Sequence, residues 1–201
     1  MKRPLVALVA LICVAFAVAV IFPIATPVQA GNNHQPVLQV SDLNKAANYC
    51  VRRGGEVDLR EPYFNTNDDQ SNWFRLSGAR QFCKFTSKED GSQINVELST
   101  LYTEEPTLAA LAYYAEVPYD GSSCHGNPAS CYCSQLGGSD LFGGINLNGG
   151  GWVQKSDVLE ACIFPDMSTI DSWGLTYHQA AIIRGRDLSK VLRYKNPYGT
   201  K

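Results

Sequence analysis

One segment occurs twice in this chain, and it carries cysteines both times. Tyr49-Cys50-Val51-Arg52-Arg53-Gly54-Gly55 returns as Tyr132-Cys133-Ser134-Gln135-Leu136-Gly137-Gly138. Each copy is followed by Cys-x-Phe, first Cys83-Lys84-Phe85 and then Cys162-Ile163-Phe164. Asp90-Gly91-Ser92-Gln93-Ile94 returns as Asp166-Met167-Ser168-Thr169-Ile170. Thr107-Leu108, with Tyr114 and Pro118 beyond, returns as Asp187-Leu188 with Tyr194 and Pro197 beyond. The offset between copies stays at about 80 positions. A duplicated segment with matched cysteines predicts two related units, each closed by its own sulfur bridge.

Local patterns give the elements of each unit. Ser41 is a candidate cap for a first helix, in which Leu43, Ala46, Ala47, Cys50 and Val51 share one face and which Gly54 ends. In the second copy Asn127 caps, Pro128 takes the first helical position, Ala129, Tyr132, Cys133 and Leu136 form the face, and Gly137 ends it. Strands are expected at 56–60, 72–76, 81–85 and 93–99, then at 151–154 and 159–164, with a turn at 65–69. A closing helix follows in each copy, capped by Thr107 and by Asp187. The expected fold is α+β: two tandem related units at 41–118 and 127–197, each helix–antiparallel strands–helix and stabilised by disulfides. A linker at 31–40, a second at 119–126 and a tail at 198–201 complete the chain.

The N-terminus reads as an export signal. Lys2 and Arg3 precede an apolar run to about Ile24, and Val28 and Ala30 suit the −3 and −1 positions of a cleavage site, so 1–30 is the expected signal peptide. The competing reading is an uncleaved anchor, because the run approaches the ~20 residues that span a bilayer. Cleavage leaves no membrane span and a secreted protein, extracellular or periplasmic. The loss of Lys2 and Arg3 takes the 17 basic residues to 15 against 19 acidic ones. This acidic balance, without a basic run, excludes a nucleic acid partner.

Seven cysteines fall to six when Cys13 leaves with the signal, and an even number in an exported chain predicts disulfides. Cys131 and Cys133 stand two apart on one helix and point to opposite sides, with Cys133 on the face that matches Cys50. The expected pairs are Cys50–Cys83 and Cys133–Cys162, which leaves Cys124 with Cys131. The alternative is cross-copy pairing, since six cysteines allow 15 connectivities.

Asn127-Pro128-Ala129-Ser130-Cys131-Tyr132-Cys133, Gly137-Gly138, Cys162-Ile163-Phe164-Pro165-Asp166-Met167-Ser168 and Trp173 together resemble domain of unknown function family 333, a small exported bacterial domain labelled "putative haemolysin". The match covers 127–173, with a degenerate copy at 46–85 that lacks the tryptophan. Met167 stands where the family carries glycine. Ile170 and Asp187 stand where it often carries two further cysteines. The resemblance implies an exported small α+β domain and no catalytic residues.

Chemical motifs are sparse. Cys124, His125, Cys131 and Cys133 sketch a zinc site, but export and the repeat pairing favour disulfides, so no metal and no cofactor are expected. The run 149–156 lacks the glycine that a phosphate loop needs before Lys155, and 142–151 reads as a glycine-rich hairpin. Asp166, Asp171 and His178 could form an acid–base set, although no nucleophile elbow accompanies them. The apolar segment 108–115 covers only ~12 Å as a helix and reads as core. Trp152 and Trp73, in loop-rich surroundings, are the candidate ligand anchors, whereas Trp173 reads as core. The expected function is a non-catalytic binding protein for an unknown protein or glycan. The alternatives are a secreted protease inhibitor, a membrane-active haemolysin-like protein and a small hydrolase.

Overall fold

Both glycine pairs terminate helices. In the computed structural model α1 is Val40–Arg52 and α4 is Pro128–Gln135, and the residues that follow, Gly54 and Gly137, take φ of +82° and +81°. α1 thus starts one residue before the expected cap Ser41. Asn127 caps α4 as expected, its side chain accepting from the Ala129 N–H at 2.9 Å. The structure describes residues 40–121, 124, 126–140 and 148–199. The expected signal peptide, the linker up to residue 39, His125, the centre of the glycine-rich segment and the last two residues lie outside the described residues. All described residues belong to one compact unit, Gln35–Lys201.

The second glycine of each pair leans on a disulfide. A Cβ on Gly55 would lie 2.4 Å from Cys83 Sγ, and one on Gly138 would lie 2.4 Å from Cys162 Sγ. The Gly55 and Gly138 N–H groups donate to the Cys50 and Cys133 carbonyls, both at 3.0 Å. The three bonds are those expected: Cys50–Cys83, Cys133–Cys162 and Cys124–Cys131.

The strands overturn the tandem architecture. They are β1 Glu56–Phe64, β2 Phe74–Arg75, β3 Arg80–Thr86, β4 Gln93–Glu97, β5 Gly150–Gln154, β6 Asp157–Leu159, β7 Ala161–Ile163 and β8 Thr169–Asp171. All eight join one antiparallel sheet in the order β6-β5-β1-β3-β4-β8-β7, with β2 beside β1. The second half of the chain therefore does not build a unit of its own. Its β5 pairs with β1 and its β8 with β4, on opposite flanks of the strands from the first half. The physical reason is edge pairing. A β1–β3–β4 sheet alone would leave two rows of backbone groups bare, and the later strands cover both. The end strands β6 and β7 are separated in sequence by Glu160 alone, so the sheet curls into a nearly closed barrel.

Helices are few and short. α2 (Leu98–Tyr102), α3 (Leu108–Ala115) and α5 (Ser172–His178) complete the set with α1 and α4. Thr107 caps α3, but after Asp187 there is only a 3-10 turn, Leu188–Lys190, where a helix was expected. No helix among the described residues is long and apolar enough to cross a membrane. Ala109, Ala110, Tyr113 and Tyr114 place α3 in the core.

Strand alternation sorts the two sheet faces. Cys83, Phe85, Ile94, Val96, Cys162 and Ile170 join the helices in one continuous apolar core drawn from both halves of the chain. The opposite face holds a small cluster of Phe82, Trp152, Leu159, Ala161 and Ile163. Polar groups occupy the rest of it. Register places Asp58 and Glu97 beside Phe82, and Asp171 beside Ala161. Arg60 is fully buried there, its Nε 2.8 Å from Asp58 Oδ2.

Candidate functional site

Where the sheet's ends meet, a cleft of about 440 Å³ opens, lined mainly by polar groups. Strands β4, β5, β6 and the end of β8, the turn carrying Thr66 and Asn67, and two helix caps line it. β4 supplies Gln93 and Asn95, β5 its first glycine, β6 Asp157, and the single-residue joint Glu160. The caps are Asn127 at the start of α4 and Asp171 at the start of α5. The cap geometry that starts two helices thus also aims two polar side chains at one cleft.

Each carboxylate of the cleft has a holder. Asn127 Nδ2 donates to both Glu160 oxygens, at 2.6 and 2.7 Å, while its own oxygen caps α4. The Cys124–Cys131 bond closes the loop that carries Asn127. Asp157 Oδ2 accepts from Arg60 Nη2 at 2.5 Å, and Arg60 Nη1 also donates to the Trp152 and Asp157 carbonyls. Arg60 therefore ties the β5–β6 hairpin to β1. Asp171 Oδ1 accepts from the Gly174 N–H at 2.8 Å and Oδ2 from the Asn95 N–H at 3.3 Å. Burial pushes the Asp171 carboxyl above its ordinary range, against these donors and the nearby Arg184 charge.

One buried acceptor of the cleft has no partner among the described residues. Asn95 is 4% exposed, and its Oδ1 has no hydrogen bond among the described residues. A buried acceptor in that state costs about 1–3 kcal/mol unless something donates to it. Gln93 and the half-buried Trp173 indole line the same cleft beside it. Among the described residues Arg184 forms no salt bridge; its guanidinium lies 5.0 Å from the Tyr177 ring centre, and Tyr177 lies 5.8 Å from Trp173. Trp173, expected in the core, is half-buried on the cleft wall. Sequence reasoning missed the cleft, although Asp171-Ser172-Trp173-Gly174 is a cap signature that could have marked α5.

The expected anchors lie elsewhere. Trp152 is on β5 and only 5% exposed, packed 5.9 Å from Phe82 with the Arg80 guanidinium 5.3 Å from its ring centre. It walls a second, more apolar groove of about 470 Å³ with Pro62, Leu76, Ile163, Phe164 and Met167. Trp73 pins its own turn: its indole N–H donates to the Asp68 carbonyl at 2.9 Å, and its ring meets Tyr63 edge-on.

The sequence-suggested acid–base set is not assembled. Asp166 receives the Leu108 N–H at the start of α3, Asp171 caps the start of α5, and His178 ends α5. His178 stacks on Tyr113 at 3.7 Å, with Nε2 3.3 Å from Glu116 Oε1. The three residues answer to three different neighbourhoods. The cysteines of the zinc sketch are consumed as disulfides, and 150–154 is strand rather than phosphate loop. The chain matches no protein-family model, no curated protein and no solved structure.

Proposed function

We propose that this chain is an exported, non-catalytic binding protein and that its ligand seats in the polar cleft at the joint between β6 and β7. One observation carries the reading. Asn95 Oδ1, buried and without a hydrogen bond among the described residues, lines one cavity with the polar groups of Gln93, Trp173 and Arg184. Its volume, about 440 Å³, lies within the ~300–1,000 Å³ of small-molecule sites. The mouth of a β-barrel is a recurrent place for such a site. The carboxylates present are engaged as caps or ties, which suits recognition rather than proton transfer.

Three disulfides in one unit support an oxidising compartment, and with it cleavage after Ala30. The same reading takes the two helix–glycine–disulfide corners as copies of one ancestral segment. It also keeps the likeness of 127–173 to domain of unknown function family 333.

The test is a ligand-observed NMR screen of a fragment library against the disulfide-intact protein. Hits that Trp173→Ala or Gln93→Ala abolishes, and that Phe74→Ala leaves unchanged, support the site. Hits indifferent to Trp173 and Gln93 refute it. N-terminal sequencing of the recovered protein tests export, with Gly31 as the expected first residue.

A further inference from the structure

Resting on the cleft reading above, we propose that the ligand is an uncharged saccharide, its ring packed on Trp173 and its hydroxyls read by Gln93, Asn95 and the Asn127–Glu160 pair. Three observations converge on this class. The first is the match of donors to acceptors. A sugar hydroxyl both donates and accepts, and the amides and carboxylate around the cleft offer both kinds of partner. Asn95 Oδ1 needs a donor, and the Gln93 amide, two residues away on β4, can both donate and accept. The two oxygens of Glu160 are held in place by Asn127 Nδ2 at 2.6 and 2.7 Å, with lone pairs left to accept from a ligand.

The second is the aromatic wall. The apolar face of a pyranose ring needs a flat apolar partner, and Trp173 is the aromatic residue that lines this cleft. Tyr177 packs against Trp173 at 5.8 Å with the rings tilted by 31°, and the Arg184 cation lies 5.0 Å from the Tyr177 ring centre.

The third is charge. The cleft carries Asp157, Glu160 and Asp171 against Arg184. Arg60 is shared between Asp157 and the buried Asp58, so it does not neutralise both. The excess of negative charge opposes a uronate or phosphate group. The Arg184 cation on the same wall opposes an ammonium group. An uncharged, hydroxyl-rich ring satisfies all of these conditions together.

Calorimetric titration of the full chain, produced with its disulfides formed, decides among three sets of oligosaccharides: neutral glucans and N-acetylated chitooligosaccharides, uronate oligomers, and deacetylated amino-sugar oligomers. At least one neutral oligosaccharide is expected to bind more tightly than any charged one. Trp173→Ala should weaken it at least tenfold. Trp173→Phe should restore most of the loss, and Gln93→Ala should weaken it severalfold, which separates a ligand role from a folding defect. Tighter binding of the uronate or amino oligomers overturns the claim of neutrality. If no saccharide binds while fragment hits still depend on Trp173, the saccharide class falls and the cleft stands. If neither binds, both fall.

Discussion

Val96 and Ile170 face one another across the β4–β8 pairing, and each also faces a disulfide cysteine on its other side, Cys83 for Val96 and Cys162 for Ile170. Four residues in a row thus join the two halves of the chain, with a sulfur bridge at each end leading to α1 and α4. Val96 and Ile170 are both fully buried. Ile170→Ala should therefore cost about 2–5 kcal/mol, the range for large-to-small changes in a packed core. Guanidinium unfolding with the disulfides intact measures it. A loss below 1 kcal/mol would show that this row is not the joint between the halves.

Gly138→Ala and Gly55→Ala each drive a methyl group against a disulfide sulfur at 2.4 Å. Neither sulfur can retreat, since each is bonded inside a closed core. Each variant should lose at least about 1–3 kcal/mol by overpacking. Gly137→Ala is the comparison. Its Cβ would meet nothing within 4 Å, so only the left-handed φ of +81° opposes it, at about 1–2 kcal/mol. Thermal melts of the four proteins rank the two costs.

Arg60→Met should be among the most damaging single changes, at about 3–5 kcal/mol, because it leaves Asp58 buried without its cation. It also frees Asp157 at the cleft. Arg60→Met combined with Asp58→Leu should recover much of the stability, since two apolar groups replace the ion pair. Recovery of stability without recovery of ligand binding would identify Arg60 as the residue that positions Asp157.

Burial pushes the Glu97 carboxyl above its ordinary value near 4.5, against the pull of Arg80 at 3.1 Å. Such a group holds its proton more tightly in the folded state. Its contribution to stability is fully present below the unfolded value and is lost as pH rises through the higher folded value. Glu97→Gln removes that loss. Melts between about pH 4 and about pH 7 should show the wild type declining relative to the Gln variant as pH rises. Asp171 is shifted in the same direction, so a weaker decline persists in the variant.

The legible parts of this fold are the local ones and the sulfur bridges. The caps Asn127 and Thr107 and the glycine helix ends follow from residues a few positions apart, whose geometry the backbone dictates. The pairs Cys50–Cys83 and Cys133–Cys162, 33 and 29 residues apart, follow from the matched cysteines of the two copies. The sheet order was not legible, because β1–β5 and β4–β8 are pairings between distant segments that leave no periodic trace. The repeat itself misled: it placed each strand with its own copy, whereas free edges select partners by availability. The cleft was hidden by an ordinary pattern. Gln93, Asn95 and Glu97 alternate with Ile94 and Val96 as a strand with one solvated face would, yet the sheet's curl turns that polar face inward. Trp152 misled for the opposite reason, since glycines that suggest a loop begin a buried strand.

The order of strands also sets a schedule for the nascent chain. β1, β3 and β4 leave the ribosome with both flanks bare, and the strand that covers the second flank, Thr169–Asp171, is translated last of all eight. A message truncated ahead of that strand yields seven strands with the β4 edge still bare, not a smaller working domain.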